Sequence, residues 1–543
     1  MSDGVIKLGA GRLPILRRLD LGILRGPVLV AIAYFLGAEI AFFIGTLSDK
    51  IFAPFWPPNV ILFCALLFVP ERRWWLYIVA VFPPHVVAEL QVGMPPAQLL
   101  VAFVTNCMVA IMNAFAVRRL VGDAPWFDSL RKAALYVLIT AGVNPAFVAL
   151  GGAFVPILGG GSTDQYALFW TYWYISNALS SLTLGPVLLT WLSESPKASG
   201  VTSWRRKLEA SALGVGLVVI CTLAFEGSHG TVASGFLPAL LYSPLPLIVW
   251  ATLRFGARGG STAILIVTVV LTWRTLQGPS LFIGVDPETN VLALQVFLIG
   301  LSLPIVLLGA AIDDVRHAEQ GMRQLAGSVL TAQDEERRRI ARELHDSTGQ
   351  NLIAAGMLVG RMREMLPDDG GSPGQQLDDM VQRSINELRT MSYLLHPPLL
   401  DEGGLGLALQ HYVDGFGQRS GMVVVLEQFP TLERVSSDIE LVLFRVVQEA
   451  LTNVARHSGS KTARIGLRRK VVRGRRCIVL SVEDAGRGLP VRRLALQRKA
   501  IPGNGVGLAS MRERLNQVDG WLELQSGAGG TTLTAVVPLN GSG

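Results

Sequence analysis

Over residues 1–312 long apolar runs alternate with short polar breaks, whereas from Asp313 onward Glu, Asp and Arg become dense and no apolar run is long enough to cross a bilayer. A membrane-spanning helix needs about 20 apolar residues. Runs near residues 22–46, 55–70, 74–90, 97–117, 133–157, 166–192, 208–226, 236–253, 259–276 and 290–312 meet or approach that length, and because several are short or broken by proline they predict about 8 to 10 helices. Basic residues occupy alternate breaks: the N-terminal segment, Arg72 and Arg73, the stretch from Arg118 to Lys132, the stretch from Lys197 to Lys207, and Arg254 with Arg258. The breaks between them, such as Gly159 to Gln165 and Gln277 to Asn290, are nearly free of Lys and Arg. Because loops rich in Lys and Arg stay in the cytoplasm, the pattern predicts a multi-pass bundle with both termini cytoplasmic.

Past the last span, Val315, Met322, Leu325, Val329, Ala332 and Ile340 recur at spacings near three, four and seven, the period of a helix running on from the membrane. A helix from Gln333 to Met365 carries Ile340, Leu344, Leu352, Ala355 and Val359 on its apolar side, until Pro367, Asp368, Asp369, Gly370 and Gly371 stop it. A second, Gln375 to Leu395, carries Leu377, Val381, Ile385, Leu388, Met391 and Leu395, and Pro397 and Pro398 end it. Two such antiparallel hairpins bury four apolar faces as a dimeric four-helix bundle. From Gly421 to Leu539 strand-like alternations (Met422 to Glu427, Ala463 to Arg468, Cys477 to Val482, Trp521 to Leu524, Thr531 to Val537) mix with helical segments, which predicts an α/β sandwich. The expected organisation is therefore a polytopic membrane domain (1–312), a helical linker (313–333), a helical hairpin (334–400) and the sandwich (401–543).

Only 16% of the 543 residues are charged, against about 25% in soluble proteins, and mean hydropathy is +0.43; a single soluble globule is excluded. The net charge of +7 does not indicate direct nucleic-acid binding, because much of the basic excess in the first half lies in the short breaks that set topology. Cys64, Cys107 and Cys221 stand singly in apolar runs and Cys477 in the soluble half, with no CxxC pair, so neither a disulfide framework nor a zinc site is expected. The N-terminal segment has Lys7, Arg12, Arg17 and Arg18 but no compact apolar core ahead of a cleavage site, which predicts an uncleaved first span.

Glu39, His85, Glu89, Asn106, Asn113, Asn144 and Asn177 lie inside the apolar runs. Lipid offers them no partner, so each must find one within the bundle, and interhelical hydrogen bonding is the commoner use of Asn. Phe55-Trp56-Pro57-Pro58-Asn59, an apolar run, then Glu71-Arg72-Arg73-Trp74-Trp75 resembles the opening of the type-one membrane-associated sensor domain of bacterial signalling proteins. The resemblance covers residues 21–312 and implies sensing of a small-molecule stimulus or a membrane partner. Trp56, Trp74 and Trp75 also suit the lipid headgroup level, which anchoring alone explains.

The first cytoplasmic helix contains Glu336-Arg337-Arg338-Arg339-Ile340-Ala341-Arg342-Glu343-Leu344-His345-Asp346-Ser347-Thr348-Gly349-Gln350. Imidazole is a nucleophile near neutral pH, and an adjacent carboxylate can fix its tautomer and take its proton while the other nitrogen attacks phosphorus. His345 and Asp346 supply those groups, and Gln350, one turn past Asp346, can orient a water. The segment resembles the dimerisation and phosphoacceptor region of sensor histidine kinases related to the nitrate sensors, marked by His-Asp-x-x-x-Gln after Arg-Glu-Leu. That resemblance implies a bacterial inner-membrane homodimer and a response regulator of the nitrate-regulator type.

In Phe444-Arg445-Val446-Val447-Gln448-Glu449-Ala450-Leu451-Thr452-Asn453-Val454-Ala455-Arg456-His457, the residues Glu449, Asn453 and His457 recur every fourth position on one polar face. Such a face can bind Mg²⁺ through the Asn453 carbonyl, steady the metal's waters with Glu449 and set Arg456 or His457 near phosphate. Glu483-Asp484-Ala485-Gly486-Arg487-Gly488 follows, then Gly503-Asn504-Gly505-Val506-Gly507-Leu508 opening a helix, where backbone amides approach phosphate closely. In this order the three elements resemble the ATP-binding module shared by histidine kinases, gyrase, a heat-shock chaperone and mismatch-repair ATPases. The resemblance implies that Asp484 reads the adenine amino group, that Gly486 and Gly488 flank the base, that Val491 to Asn504 form a lid and that Thr531 of Gly530-Thr531 lies near adenine. Two departures stand out: Glu483-Asp484-Ala485 replaces the common Asp-Asp-Gly while keeping the adenine Asp, and the phenylalanine box is not evident.

The expected function is ATP-dependent autophosphorylation of His345 and phosphotransfer to a regulator aspartate, with phospho-regulator phosphatase activity beside it. An ATP-binding adaptor without catalysis predicts loss of His345, Asn453 or the glycines, all of which are present. A transporter with a regulatory tail is the other alternative, and a cyclic-dinucleotide synthase requires a cyclase module that this sequence does not contain.

Overall fold

The computed structural model describes residues 21–46, 54–193, 204–226, 242–277, 287–365, 373–395, 397–427, 434–488, 506–527 and 529–539. The chain forms two compact units, Met1–Glu319 and Gln320–Gly543.

The first unit is helical. Its helices are α1 (Leu21–Thr46), α2 (Pro57–Phe68), α3 (Trp74–Gln91), α4 (Pro96–Ala116), α5 (Leu130–Val137), α6 (Asn144–Gly152), α7 (Phe154–Leu158), α8 (Tyr166–Leu192), α9 (Trp204–Glu226) and α10 (Leu245–Gln277). The next helix, α11 (Pro287–Glu343), begins in this unit. Among the described residues seven helical stretches are long and apolar enough to cross a membrane, and Pro57–Phe68 is a shorter apolar helix. Exposed apolar residues such as Leu29, Ile40, Val79 and Val219 stud their outer faces, as lipid contact requires.

Gly256 breaks α10 in two at φ 67°, ψ −150°, between the basic pair Arg254 and Arg258 that separates two predicted spans. Asp313 Oδ2 accepts the Ala257 N–H at 2.8 Å and so caps the second half. A Cβ at Gly256 would collide with that carboxylate, so the position demands glycine for both its backbone angle and its space.

The buried asparagines meet one another. Asn59 donates to Asn106 Oδ1 at 3.0 Å and to Asn177 Oδ1 at 2.8 Å, joining α2, α4 and α8, and Asn144 donates to Asn113 Oδ1 at 3.0 Å. Asn59 is the last residue of the Phe-Trp-Pro-Pro-Asn stretch, which therefore braces helices as well as anchoring aromatics. Arg118 donates to the carbonyls of Leu67 and Val69 at 2.9 and 2.8 Å and neutralises the negative end of α2.

In the second unit α11 runs to Glu343, the turn Leu344–Gly349 is π-helical, and α12 (Gln350–Glu364) and α13 (Pro373–Leu395) form the hairpin. The sequence predicts one uninterrupted helix from Gln333 to Met365; the π turn interrupts it at His345. After α14 (Pro398–Ser420) comes the sandwich, with β1 (Val423–Glu427), α15 (Ser437–Asn453), β2 (Thr462–Val472), β3 (Arg475–Asp484), α16 (Val506–Gln517), β4 (Trp521–Gly527) and β5 (Gly530–Pro538). The sheet order is β1-β2-β3-β5-β4, with β1 and β2 parallel and the other pairs antiparallel. Ile478, Leu480 and Val482 alternate inward from β3, and Ala535 and Val537 from β5, against Phe444, Val447 and Leu451 of α15 and Met511 and Leu515 of α16. All five predicted strands are present, because period-two burial against one helical layer is a local property of each segment.

The linker stripe lies on the continuous helix its spacing predicts. In the single chain Met322, Leu325 and Val329 are exposed, and Asp334 is buried.

Candidate functional site

His345 lies on the π turn, exposed, with Nδ1 3.1 Å from Asp346 Oδ1. A carboxylate on Nδ1 places the proton there and leaves the Nε2 lone pair to solvent, the arrangement a nucleophile needs. Gln350 opens α12 and is exposed. π turns recur at functional sites because they displace one residue from the regular helical register; no periodicity in the sequence signals this one.

Four segments distant in sequence converge at one end of the sandwich. Helix α15 brings Glu449 and Asn453, and Asn453 Nδ2 donates to Glu449 Oε1 at 3.4 Å. The first turn of α16 brings Gly507, where a Cβ would collide with the Glu449 carboxylate. Asp484 ends β3 and Thr531 opens β5, and the two are paired in register across the antiparallel ladder. Asp484 Oδ1 accepts the Gly486 N–H at 2.8 Å, holding the turn, and Thr531 Oγ1 is 2.9 Å from Ser526 Oγ. Gly488 takes φ 65° beside the Gly527 carbonyl, a position closed to any side chain. Leu508 follows Gly507 and is half-buried. Gly503, Gly505 and the lid expected from Val491 to Asn504 lie outside the described residues.

The fourth-residue spacing stops at Asn453, where the chain widens into a π turn, Val454–Ser458, ending at left-handed Gly459. Arg456 and His457 are exposed on that turn, and the His457 carbonyl accepts Arg487 Nε at 2.9 Å. Arg487 also donates its backbone N–H to Ser458 O at 3.0 Å. Arg487, Ser458 and Ser526 thus brace the site without having been singled out from sequence. Their only signal was position, within or beside the matched motifs.

Asn453 fits a hard cation. Its amide nitrogen is engaged by Glu449, which leaves the carbonyl oxygen as an acceptor beside a carboxylate. No cluster of three or more His, Cys, Asp or Glu suited to a metal occurs among the described residues, and Mg²⁺ typically takes one or two protein groups with the rest from water and substrate phosphates.

Asp334 of α11 is gripped by two arginines of the sandwich. Arg445 Nε is 3.0 Å from Asp334 Oδ1, and Arg514 pairs with Oδ2. Arg445 further donates to Gln448 Oε1 at 2.7 Å and to the Leu395 carbonyl at 2.8 Å. Burial pulls the Arg445 guanidinium down to about 10, which leaves it charged at neutral pH. Removing the shared carboxylate strands two buried cations, which costs about 3 to 5 kcal/mol. Asp334→Ala is therefore expected to accelerate amide exchange over residues 327–334 of the full chain by about 100-fold or more; unchanged exchange there would show that the clamp carries no stability.

Comparison with known families places these features. Residues 28–315, more than half of the chain, match the MASE1 family; residues 336–400 match a histidine kinase family; and residues 438–541 match the histidine kinase-, DNA gyrase B- and HSP90-like ATPases. The sensor histidine kinase MctS of Rhizobium johnstonii is 32% identical over 226 residues, 41% of this chain and 47% of that one. The signal transduction histidine-protein kinase/phosphatase UhpB of Salmonella typhimurium is 27% identical over 411 residues, 71% of this chain and 74% of that one. DegS of Brevibacillus brevis, also a histidine-protein kinase/phosphatase, is 30% identical over 237 residues, 43% of this chain and 58% of that one. The match with MctS thus spans about half of that protein's length. The chain belongs to the MASE1 family and carries, after that domain, a segment that matches a histidine kinase family and one that matches the histidine kinase-, DNA gyrase B- and HSP90-like ATPases.

Proposed function

We propose that the chain acts as a homodimer in the bacterial inner membrane, with both termini cytoplasmic, phosphorylating His345 from ATP and passing the phosphoryl group to an aspartate of a nitrate-regulator-type response regulator. The observation that carries this reading is the exposed His345–Asp346 pair on the same polypeptide as the convergence of Glu449, Asn453, Gly507, Asp484 and Thr531. We assign sensing to residues 1–312, coupling to 313–333, phosphotransfer to 334–400 and ATP binding to 401–543.

His345 Nε2 attacks the γ-phosphorus, the bond to the bridging oxygen of ADP breaks, and Asp346 takes the Nδ1 proton as the ring becomes phosphorylated. Asn453 would hold Mg²⁺ and Glu449 would steady the metal's waters; the ion when bound neutralises phosphate charge. Asp484 with Thr531 receives the adenine edge, and Gly486 and Gly488 flank the base. Ile353, Met357, Leu358, Met362 and Met380 remain exposed on the hairpin of a single chain, an apolar surface that supports pairing with a second copy.

Purified full chain given labelled ATP and Mg²⁺ is expected to acquire label that is acid-labile and base-stable, as a phosphoramidate is. Label with the opposite stability, or none, rejects the reading. Gln350 tests the phosphatase activity, because water attack on a regulator's phospho-aspartate needs an orienting group that transfer to His345 does not. Gln350→Ala is expected to keep autophosphorylation within about threefold and slow regulator dephosphorylation at least about tenfold, about 1.4 kcal/mol. Loss of both rates together with dimer stability would assign Gln350 to packing.

Orientation is testable separately. Single cysteines in Gly159 to Gln165 are expected to react with an impermeant thiol reagent added outside, and cysteines beside Arg72 or Arg118 are not; the reverse pattern inverts the topology.

A further inference from the structure

The membrane unit carries a half-open cavity of about 720 Å³ that the catalytic chemistry does not use. Its size is that of a small-molecule site. Five aromatic rings line it, those of Phe42, Trp56, Phe169, Tyr172 and Trp173, and Glu89 is the only charged residue among the described lining residues. Glu89 is 3% exposed, and its Oε2 has no hydrogen-bond partner among the described residues.

The nearest basic group does not neutralise it. His85 Nδ1 stands 3.9 Å from Glu89 Oε1, but the ring is engaged at both nitrogens, with Tyr34 Oη at 3.4 Å from Nδ1 and the Leu99 carbonyl at 3.3 Å from Nε2. A carbonyl only accepts, so Nε2 carries the proton, and a neutral imidazole taking the Tyr34 hydroxyl at Nδ1 satisfies both contacts. A buried carboxylate with no countercharge is costly. The electron-rich faces around it favour a cation for the same electrostatic reason. Trp56 also leaves its indole N–H unpartnered among the described residues, a donor for an oxygen on the same occupant.

We infer that this cavity is the stimulus site and that it takes a small organic ammonium ion with an apolar body. The assignment of a stimulus rests on the kinase reading above; the binding itself does not. The cavity lies where Val92 to Pro95 and Gly159 to Gly161 join spans, in breaks without Lys or Arg, so under the proposed topology it opens outside the cytoplasm. Gln295, on the helix that leaves the membrane, donates to the Pro54 carbonyl at 2.6 Å, two residues before the cavity-lining Trp56.

The test uses the full chain in lipid nanodiscs, with tryptophan fluorescence and calorimetry reporting binding of three probes of similar size: phenethylammonium, neutral 2-phenylethanol and anionic 3-phenylpropanoate. Phenethylammonium is expected to bind at least about tenfold tighter than the alcohol, with the anion weakest. Glu89→Gln is expected to abolish that preference while keeping the alcohol's affinity within about threefold, which shows that the variant is folded. Equal binding of cation and alcohol, tighter binding of the anion, a preference that survives Glu89→Gln, or a cavity filled by co-purifying lipid that none of the probes displaces would each overturn the inference. Because binding is read without ATP, failure of histidine phosphorylation leaves this result standing, and a negative binding result leaves the kinase reading standing.

Discussion

Replacing His345 by alanine is expected to reduce acid-labile labelling from ATP by at least about 1,000-fold, about 4 kcal/mol, while ATP affinity stays within about twofold. Under the proposed function the effect is large because Nε2 of this ring is the atom that receives phosphorus. The neighbouring side chains that accept phosphate poorly, Ser347 and Thr348, have no base beside them comparable to the Asp346 carboxylate 3.1 Å from Nδ1. Asp346→Asn separates the two roles of that carboxylate. An amide oxygen can still hold the Nδ1–H tautomer but cannot take the proton, so a fall of about 10- to 100-fold is expected, with residual label still on His345. Wild-type label on His345→Ala would move the phosphoacceptor elsewhere.

Asn453→Ala is expected to lower the autophosphorylation rate about 100-fold, about 2.7 kcal/mol, at limiting Mg²⁺. The Asn453 amide sits 3.4 Å from Glu449 with its carbonyl oxygen uncommitted to that contact, so under the proposed function its removal takes away a neutral oxygen ligand without stranding a buried charge. The discriminating measurement is the initial rate across a Mg²⁺ titration. A metal role shifts the midpoint upward and lets high Mg²⁺ recover part of the rate, whereas a packing role lowers the plateau alone. Gly507→Ala is the companion variant. Its Cβ meets the Glu449 carboxylate and displaces it, so a similar loss should appear with no change in the Asn453 side chain.

Some of this was legible without coordinates because the controlling physics is local. A bilayer offers no hydrogen-bond partner, so an apolar run of sufficient length is already a spanning helix, and the basic pair Arg254 and Arg258 marked the break that Gly256 makes. Alternating burial specifies a strand whatever its neighbours are, and all five strands were read that way. The order of the Asn-bearing helix, the Asp484 turn and the Gly507 loop was likewise visible, since each is a short motif complete in itself.

Partnership across the chain was decided only in three dimensions. Asn59 reaches Asn106 and Asn177 across 47 and 118 residues, and no periodicity encodes such a pairing; it follows from which helices pack together. The ladder sets Asp484 opposite Thr531 through the register of β3 against β5, although 46 residues intervene between them in sequence. The linker shows the same limit in reverse. Its apolar stripe marks a helix and one of its faces, but the burial of Asp334 on that helix is set by Arg445 and Arg514 of the sandwich, buried cations that need a carboxylate. A helical pattern determines which residues share a face; the charge and shape of what lies opposite determine which face is buried.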